Sequence, residues 1–354
     1  MRTWLWRIPW LILAACCLYL GCYRWQLELL TLTPIEPQAM VRGMIRNDQY
    51  AEAADQAQYF LDIAEDHERV ELEALAAEIA SHRSSMSYQT QKIQEGLLTG
   101  SSDELSGQVT GLATSLLVIG DVRDLVKEGL NWLQDEPTDE VIIALATIGL
   151  VASAGQVVTL GSSSTVKTGI TMIKQAHQLG TLPTWLRAHL IKITHQVLAA
   201  RSLVPILPIM HRLQTLLNAA GWRQALKGLG MTRDPGSLNR LTILASHLGP
   251  ALGPLVRLGG DAALAIAPQI EKMGIANLKL ASRYGPQGLH TLAQLGPVRF
   301  VKYGARLAKW GYTYPWMATL ANYLLKVPAF MWVIGTILGL LFGLPWPWRK
   351  LLMS

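Results

Sequence analysis

Two uncharged apolar runs bracket the chain: Ile8 to Tyr23, flanked by Arg2, Arg7 and Arg24, and Val327 to Trp348, between Lys326 and Arg349-Lys350. The second holds 22 residues, enough at about 1.5 Å per residue to cross a hydrocarbon core of roughly 30 Å. The first reaches that length only if Trp4 and Trp6 extend it. Both runs predict transmembrane helices. Between them, Gln49 to Ala64 and Val70 to Ser84 carry apolar residues at helical spacing around a polar Glu65-Asp66-His67-Glu68 turn, which predicts a helical hairpin within residues 37–98. Its Asn47 to Ala53 segment looks like half a tetratricopeptide unit, but no copy follows at the offset an array needs.

A third uncharged stretch, Val141 to Val166, runs from Glu140 to Lys167. Gly149, Ser153, Gly155, Gln156 and Ser162 to Ser164 interrupt it, and an odd number of crossings would part the basic residues of the two chain ends. A buried or membrane-dipping helical hairpin is the preferred reading. From Leu248 onward an apolar residue is repeatedly followed by glycine, as in Leu248-Gly249, Leu258-Gly259, Met273-Gly274, Tyr284-Gly285, Leu295-Gly296, Tyr303-Gly304 and Trp310-Gly311. Glycine suits a helix end, and the prolines at 286 and 297 suit the first turn of the next helix. Short helices that must pack on one another or on lipid are expected.

The whole predicts an all-α fold: a helical hairpin, a glycine-punctuated bundle of short helices, and terminal transmembrane helices. The regions run 1–26 (anchor), 37–98 (acidic hairpin), 105–240 (basic helices, with the apolar hairpin 141–166), 241–326 (punctuated short helices) and 327–348 (second transmembrane helix).

Composition sharpens the membrane reading. Charged residues are only 16% of the chain, and nine of twelve tryptophans lie in or beside the terminal runs, where an amphipathic indole suits the headgroup layer. Leu13-Ala14-Ala15-Cys16 matches a lipoprotein cleavage box, but the apolar run continues through Cys17, Leu18 and Leu20, which favours an uncleaved anchor. All three cysteines lie in this run, so the body has neither a disulfide framework nor a thiolate metal site. Arg2 and Arg7 before the first run place the N-terminus in the cytoplasm and the body in the periplasm of a bacterial inner membrane.

Charge divides the chain. Residues 25–140 hold 22 acidic and 7 basic side chains, residues 141–326 hold 3 acidic and 19 basic, and the formal net charge of +6 hides the split. Three readings follow: the halves face each other, the basic half meets anionic lipid, or it binds nucleic acid. The first is the plain electrostatic expectation. For the second, Arg299, Lys302, Arg306 and Lys309 fall on one helical face, provided Gly304 does not break the helix, and are the candidate anionic-lipid contact. Nucleic acid is set aside, because no recognition motif is present.

Chemistry is sparse. Gly161-Ser162-Ser163-Ser164-Thr165-Val166-Lys167-Thr168 fails as a phosphate loop because Val166 replaces the second glycine. His189 and His195 are spaced onto different helical faces, and Asp121 and Asp124 read as helix-capping acids. No catalytic, cofactor or metal residues are assigned.

Ile119-Gly120-Asp121-Val122-Arg123-Asp124, the apolar stretch, Lys167 to Lys174 and the punctuated helices together resemble, over roughly residues 105–310, a bacterial multi-helix membrane-protein family; the resemblance carries no function across. The Gly120 to Asp124 run is also similar to linkers that precede toxin domains in secreted bacterial toxins, although no toxin domain follows it. The expected function is a non-enzymatic envelope protein of scaffold or protein-interaction type, whose partners are the lipid bilayer and a protein. The alternative is a membrane-inserting pore, transport or permeabilising component.

Overall fold

The computed structural model describes residues 7–90, 139–154 and 162–344, and within them the chain is all helical, with no strand. The 105–133 segment with its Ile119–Asp124 run, the Thr99–Asp103 loop, most of the Asp135–Asp139 loop, residues 155–161 of the central apolar stretch, and Trp4, Trp6, Trp346 and Trp348 lie outside the described residues.

The chain enters through α1 (Ile8–Cys22) and α2 (Arg24–Leu30), then α3 (Pro37–Arg46), α4 (Tyr50–Leu61) and α5 (Asp66–Ser84). Next come α6 (Glu140–Ala154), α7 (Ser162–Gln178), α8 (Thr184–Ala200), α9 (Leu207–Ala220), α10 (Trp222–Gly230) and α11 (Pro235–Leu248). Short helices follow: α12 (Leu252–Gly259), α13 (Asp261–Ile266), α14 (Ile270–Met273), α15 (Ile275–Ser282) and α16 (Gly285–Leu295). The chain closes with α17 (Pro297–Thr313), α18 (Pro315–Lys326) and α19 (Ala329–Gly343). Two compact units result, one built from both chain ends (Met1–Ile35 with Lys272–Ser354), the other from Glu36–Glu271.

Local chemistry sets these boundaries. Asp234 caps α11 by accepting from the Ser237 amide at 2.8 Å, while the Ser237 hydroxyl accepts from the Asp234 amide, and Pro235 opens the first turn. Gly249 ends α11 at φ +56° and Gly296 parts α16 from α17 at φ +76°, backbone that other residues adopt only with strain. Gly304 and Gly311 instead stay inside α17, so the apolar-glycine pattern marks helix ends only in part.

In the central unit, α3, α4 and α5 pack around Val41, Met44, Ala57, Phe60, Leu72 and Ile79. Helix α6 lies on α7 and α8, α7 on α9, and α9 on α10 and α11. No residue from Val141 to Ala152 is exposed, so the apolar character of this part of the central stretch is satisfied by protein. The 25-residue helical stretch Pro235–Gly259 is long and apolar enough to cross a membrane. Its Leu238, Leu241, Leu244, Leu252 and Leu255 are buried within the unit.

The terminal unit is different. Helices α1 and α19 pack antiparallel, with Gly21 near Trp332 and Gly343 near Leu11. Paired with their neighbours, they also reach the length and apolarity of a membrane crossing, but each pair is bent: α1 to α2 by 65° and α18 to α19 by 85°. Helix α2 packs on both α17 and α18, and α16 on α17.

Candidate functional site

The α1/α19 pair keeps small residues inside and large apolar ones outside. Gly335, Gly339 and Gly343 recur every fourth residue along one stripe of α19 and face Cys17, Ala14 and Leu11 of α1. At Gly339 a Cβ would stand 2.7 Å from the Trp10 carbonyl oxygen and 2.8 Å from the Ala14 nitrogen, so the two backbones meet where no side chain fits. Small residues at this spacing permit such close approach. Outside, Ile12 and Leu18 are 57% exposed, Phe330 63% and Val333 58%. A contiguous apolar surface of this kind marks a contact with lipid or protein. Cys16 and Cys22 lie on the exposed side, whereas Cys17 is buried against Gly335.

Arg24 holds the two bends together. Its guanidinium donates to the carbonyls of Leu325 at 2.6 Å and Val327 at 3.0 Å, where Pro328 interrupts the helical ladder between α18 and α19. Beside it an aromatic row runs from α1 to α17: Tyr19 to Tyr23 at 4.7 Å, Tyr23 to Trp25 at 6.4 Å, Trp25 to Tyr303 at 5.3 Å between ring centroids.

Helix α17 is continuous through Gly304. Phe300, Gly304, Ala308 and Gly311 form its buried side. Arg299, Lys302, Arg306 and Lys309 are brought onto one side and are all exposed. The Lys302 ammonium lies 5.3 Å from the Tyr303 ring centre and the Arg306 guanidinium 5.1 Å from that of Trp310. Exposed Tyr312, Tyr314, Trp316 and Tyr323 continue the aromatic surface onto α18.

In the central unit the acidic and basic halves of the chain do meet, at one polar cluster. Glu52 of α4 is paired with both Lys227 of α10 and Arg257 of α12, and its side chain is only 11% exposed. One turn on, Asp55 accepts from Arg223 at 2.5 Å and from Gln224. Burial and the Arg257 charge lower the Lys227 pKa to about 8.

A second pair joins α6 to α7. Asp139 caps α6 by accepting from the Val141 amide at 3.0 Å, and its other oxygen lies 2.5 Å from His177 Nε2. Burial acts to raise the Asp139 pKa, but the His177 hydrogen bond and charge, with the α6 amides, hold it below the ordinary value.

Residues Ser162 to Thr168, the discarded phosphate-loop sequence, form the opening turns of α7. His189 is half-buried and near Trp185, and His195 is exposed on the same helix. Among the described residues no three His, Cys, Asp or Glu side chains converge as a metal site would require.

Four features were not expected from the sequence. The four-residue spacing of Gly335, Gly339 and Gly343 was a usable signal. Arg24 read only as a flanking charge, and neither Asp139–His177 nor the Glu52 cluster has any local signature. No known protein family, curated protein or solved structure matches the chain.

Proposed function

We propose that this is a membrane-anchored helical protein of non-enzymatic scaffold type. The α1/α19 pair inserts as a two-helix anchor whose helices of 15 residues cover about 22 Å, the apolar sequence flanking them (Trp4 and Trp6, Leu344 to Trp348) making up the rest of the hydrocarbon thickness; α2, α17 and α18 turn away at the membrane surface, and the central unit presents a protein-binding face. The observation that carries this reading is the pairing itself. Two uncharged helices bury glycine and alanine against each other and turn most of their large apolar side chains outward. In water each such side chain left exposed forgoes about 1.5–3 kcal/mol, whereas lipid removes that cost.

In this reading Arg7 and Leu344 lie on the cytoplasmic side of a bacterial inner membrane, and we assign residues 36–271 to its periplasmic side. A binding face for a protein partner lies on α5, whose Asp66, Glu73 and Glu78 are exposed, while the acids of α4 are consumed in packing.

The test is fractionation with topology mapping of the full chain. The protein should stay with membranes through alkaline carbonate and leave them only in detergent. Reporters fused at Ser354 and inserted at Asp234 should report opposite compartments. Release into the soluble fraction, or two reporters on one side, refutes the reading. Charge reversal of Glu73 and Glu78 should remove the α5 partner from crosslinked complexes, and an unchanged set of crosslinks removes that face from the account.

A further inference from the structure

We propose that the outward side of α17 is a binding surface for anionic phospholipid headgroups, an inference that rests on the membrane reading above. Charge segregation by unit is its first support. The terminal unit holds 13 basic side chains and a single acidic one, Glu28, so its cations have almost no counter-charge of their own. Geometry is the second. Arg299, Lys302, Arg306 and Lys309 are exposed along about 15 Å of one uninterrupted helix. The Tyr19–Tyr23–Trp25–Tyr303 row connects this side to the end of the apolar pair, and Lys302 and Arg306 rest over Tyr303 and Trp310. With α1 and α19 in hydrocarbon, aromatic rings of this kind occupy the headgroup layer, and cations stacked on them meet lipid phosphates. A phosphate presents the oxygens that guanidinium and ammonium donors recognise.

The experiment uses the full chain in detergent micelles carrying equal amounts of phosphatidylglycerol and phosphatidylcholine, with the lipid retained after re-isolation measured by mass spectrometry. A basic side chain at an anionic surface is worth about fivefold, less with salt. The wild-type chain should therefore retain the anionic lipid at roughly tenfold or more over the zwitterionic one, and the preference should fall between about 50 and about 500 mM salt. Arg299→Gln, Lys302→Gln, Arg306→Gln and Lys309→Gln together should bring the ratio near that of the micelle, whereas Arg299→Lys with Arg306→Lys should keep it. Absence of preference in wild type, insensitivity to salt, or an unchanged ratio in the quadruple variant overturns the proposal. A chain that fractionates with membranes yet shows no preference leaves the anchor standing and removes only this surface; a chain that does not enter membranes removes both.

Discussion

The Arg24 guanidinium donates to the Leu325 carbonyl at 2.6 Å across 301 residues of chain, and so fastens the bend after α1 to the bend before α19. Arg24→Ala leaves the Leu325 and Val327 carbonyls without that donor in a partly buried site. A bond from a charged donor contributes about 1.5–3 kcal/mol, so unfolding in detergent should shift down by an amount of that order, and Arg24→Lys should recover part of it. An unshifted transition in Arg24→Ala would mean that the bends are held elsewhere.

Gly339→Val pushes a branched side chain into the Trp10 and Ala14 backbone. Neither helix can yield by rotating a side chain, so a loss of at least about 1–3 kcal/mol is expected. Gly335→Cys tests the same pairing covalently: its Cβ falls 2.7 Å from the Cys17 sulfur. Mild oxidation should link the two, seen as a disulfide-joined peptide after proteolysis, whereas Ile337→Cys on the exposed side should not link.

Lys227 should titrate unlike other lysines. Acylation of its amine, followed by mass spectrometry, should reach half its maximal rate near pH 8, where burial and Arg257 have moved its pKa from the usual 10.5. Between those two values the unfolded chain keeps a proton that the folded chain has released, so this group makes the unfolding free energy rise with pH over that interval. Glu52→Gln leaves Lys227 and Arg257 facing each other without their shared carboxylate, and breaking such a pair costs about 3–5 kcal/mol when it is fully buried, less for the half-exposed lysine.

Asp139→Asn separates two roles. Asparagine caps a helix as well as aspartate does, but it carries no charge for His177. Because the folded Asp139 pKa lies below the ordinary 3.8, its contribution is fully present above that value and is lost as the pH falls through the folded one. The wild type should therefore exceed Asp139→Asn in thermal stability at neutral pH, and the difference should close as the pH drops below about 3.8. Asp139→Ala should cost about 1 kcal/mol more than Asn through the lost cap. A gap between wild type and Asn that persists in strong acid would rule out the charge as its source.

Much of the helical content was legible because helix formation is local. Val70 to Ser84 announces its helix by apolar spacing, since that periodicity needs only neighbours in sequence. Gly304 shows the limit of such reading: glycine after an apolar residue suits a helix end, but Gly304 sits buried in mid-helix, on the same side as Phe300 and Ala308. Pro235–Gly259 shows another, because hydropathy alone does not distinguish leucines facing protein from leucines facing lipid.

By itself the sequence determined that the chain is helical, that uncharged runs lie at both ends, and that acidic and basic residues are parted along its length. The tertiary structure decided which runs meet. Gly339 against Ala14, Arg24 under Leu325, Glu52 between Lys227 and Arg257, and Asp139 beside His177 all join residues far apart in the chain. The physical reason is that periodicity records only which side of a helix is apolar, while the partner of that side is chosen by shape and charge complementarity that arises once the helices are in place.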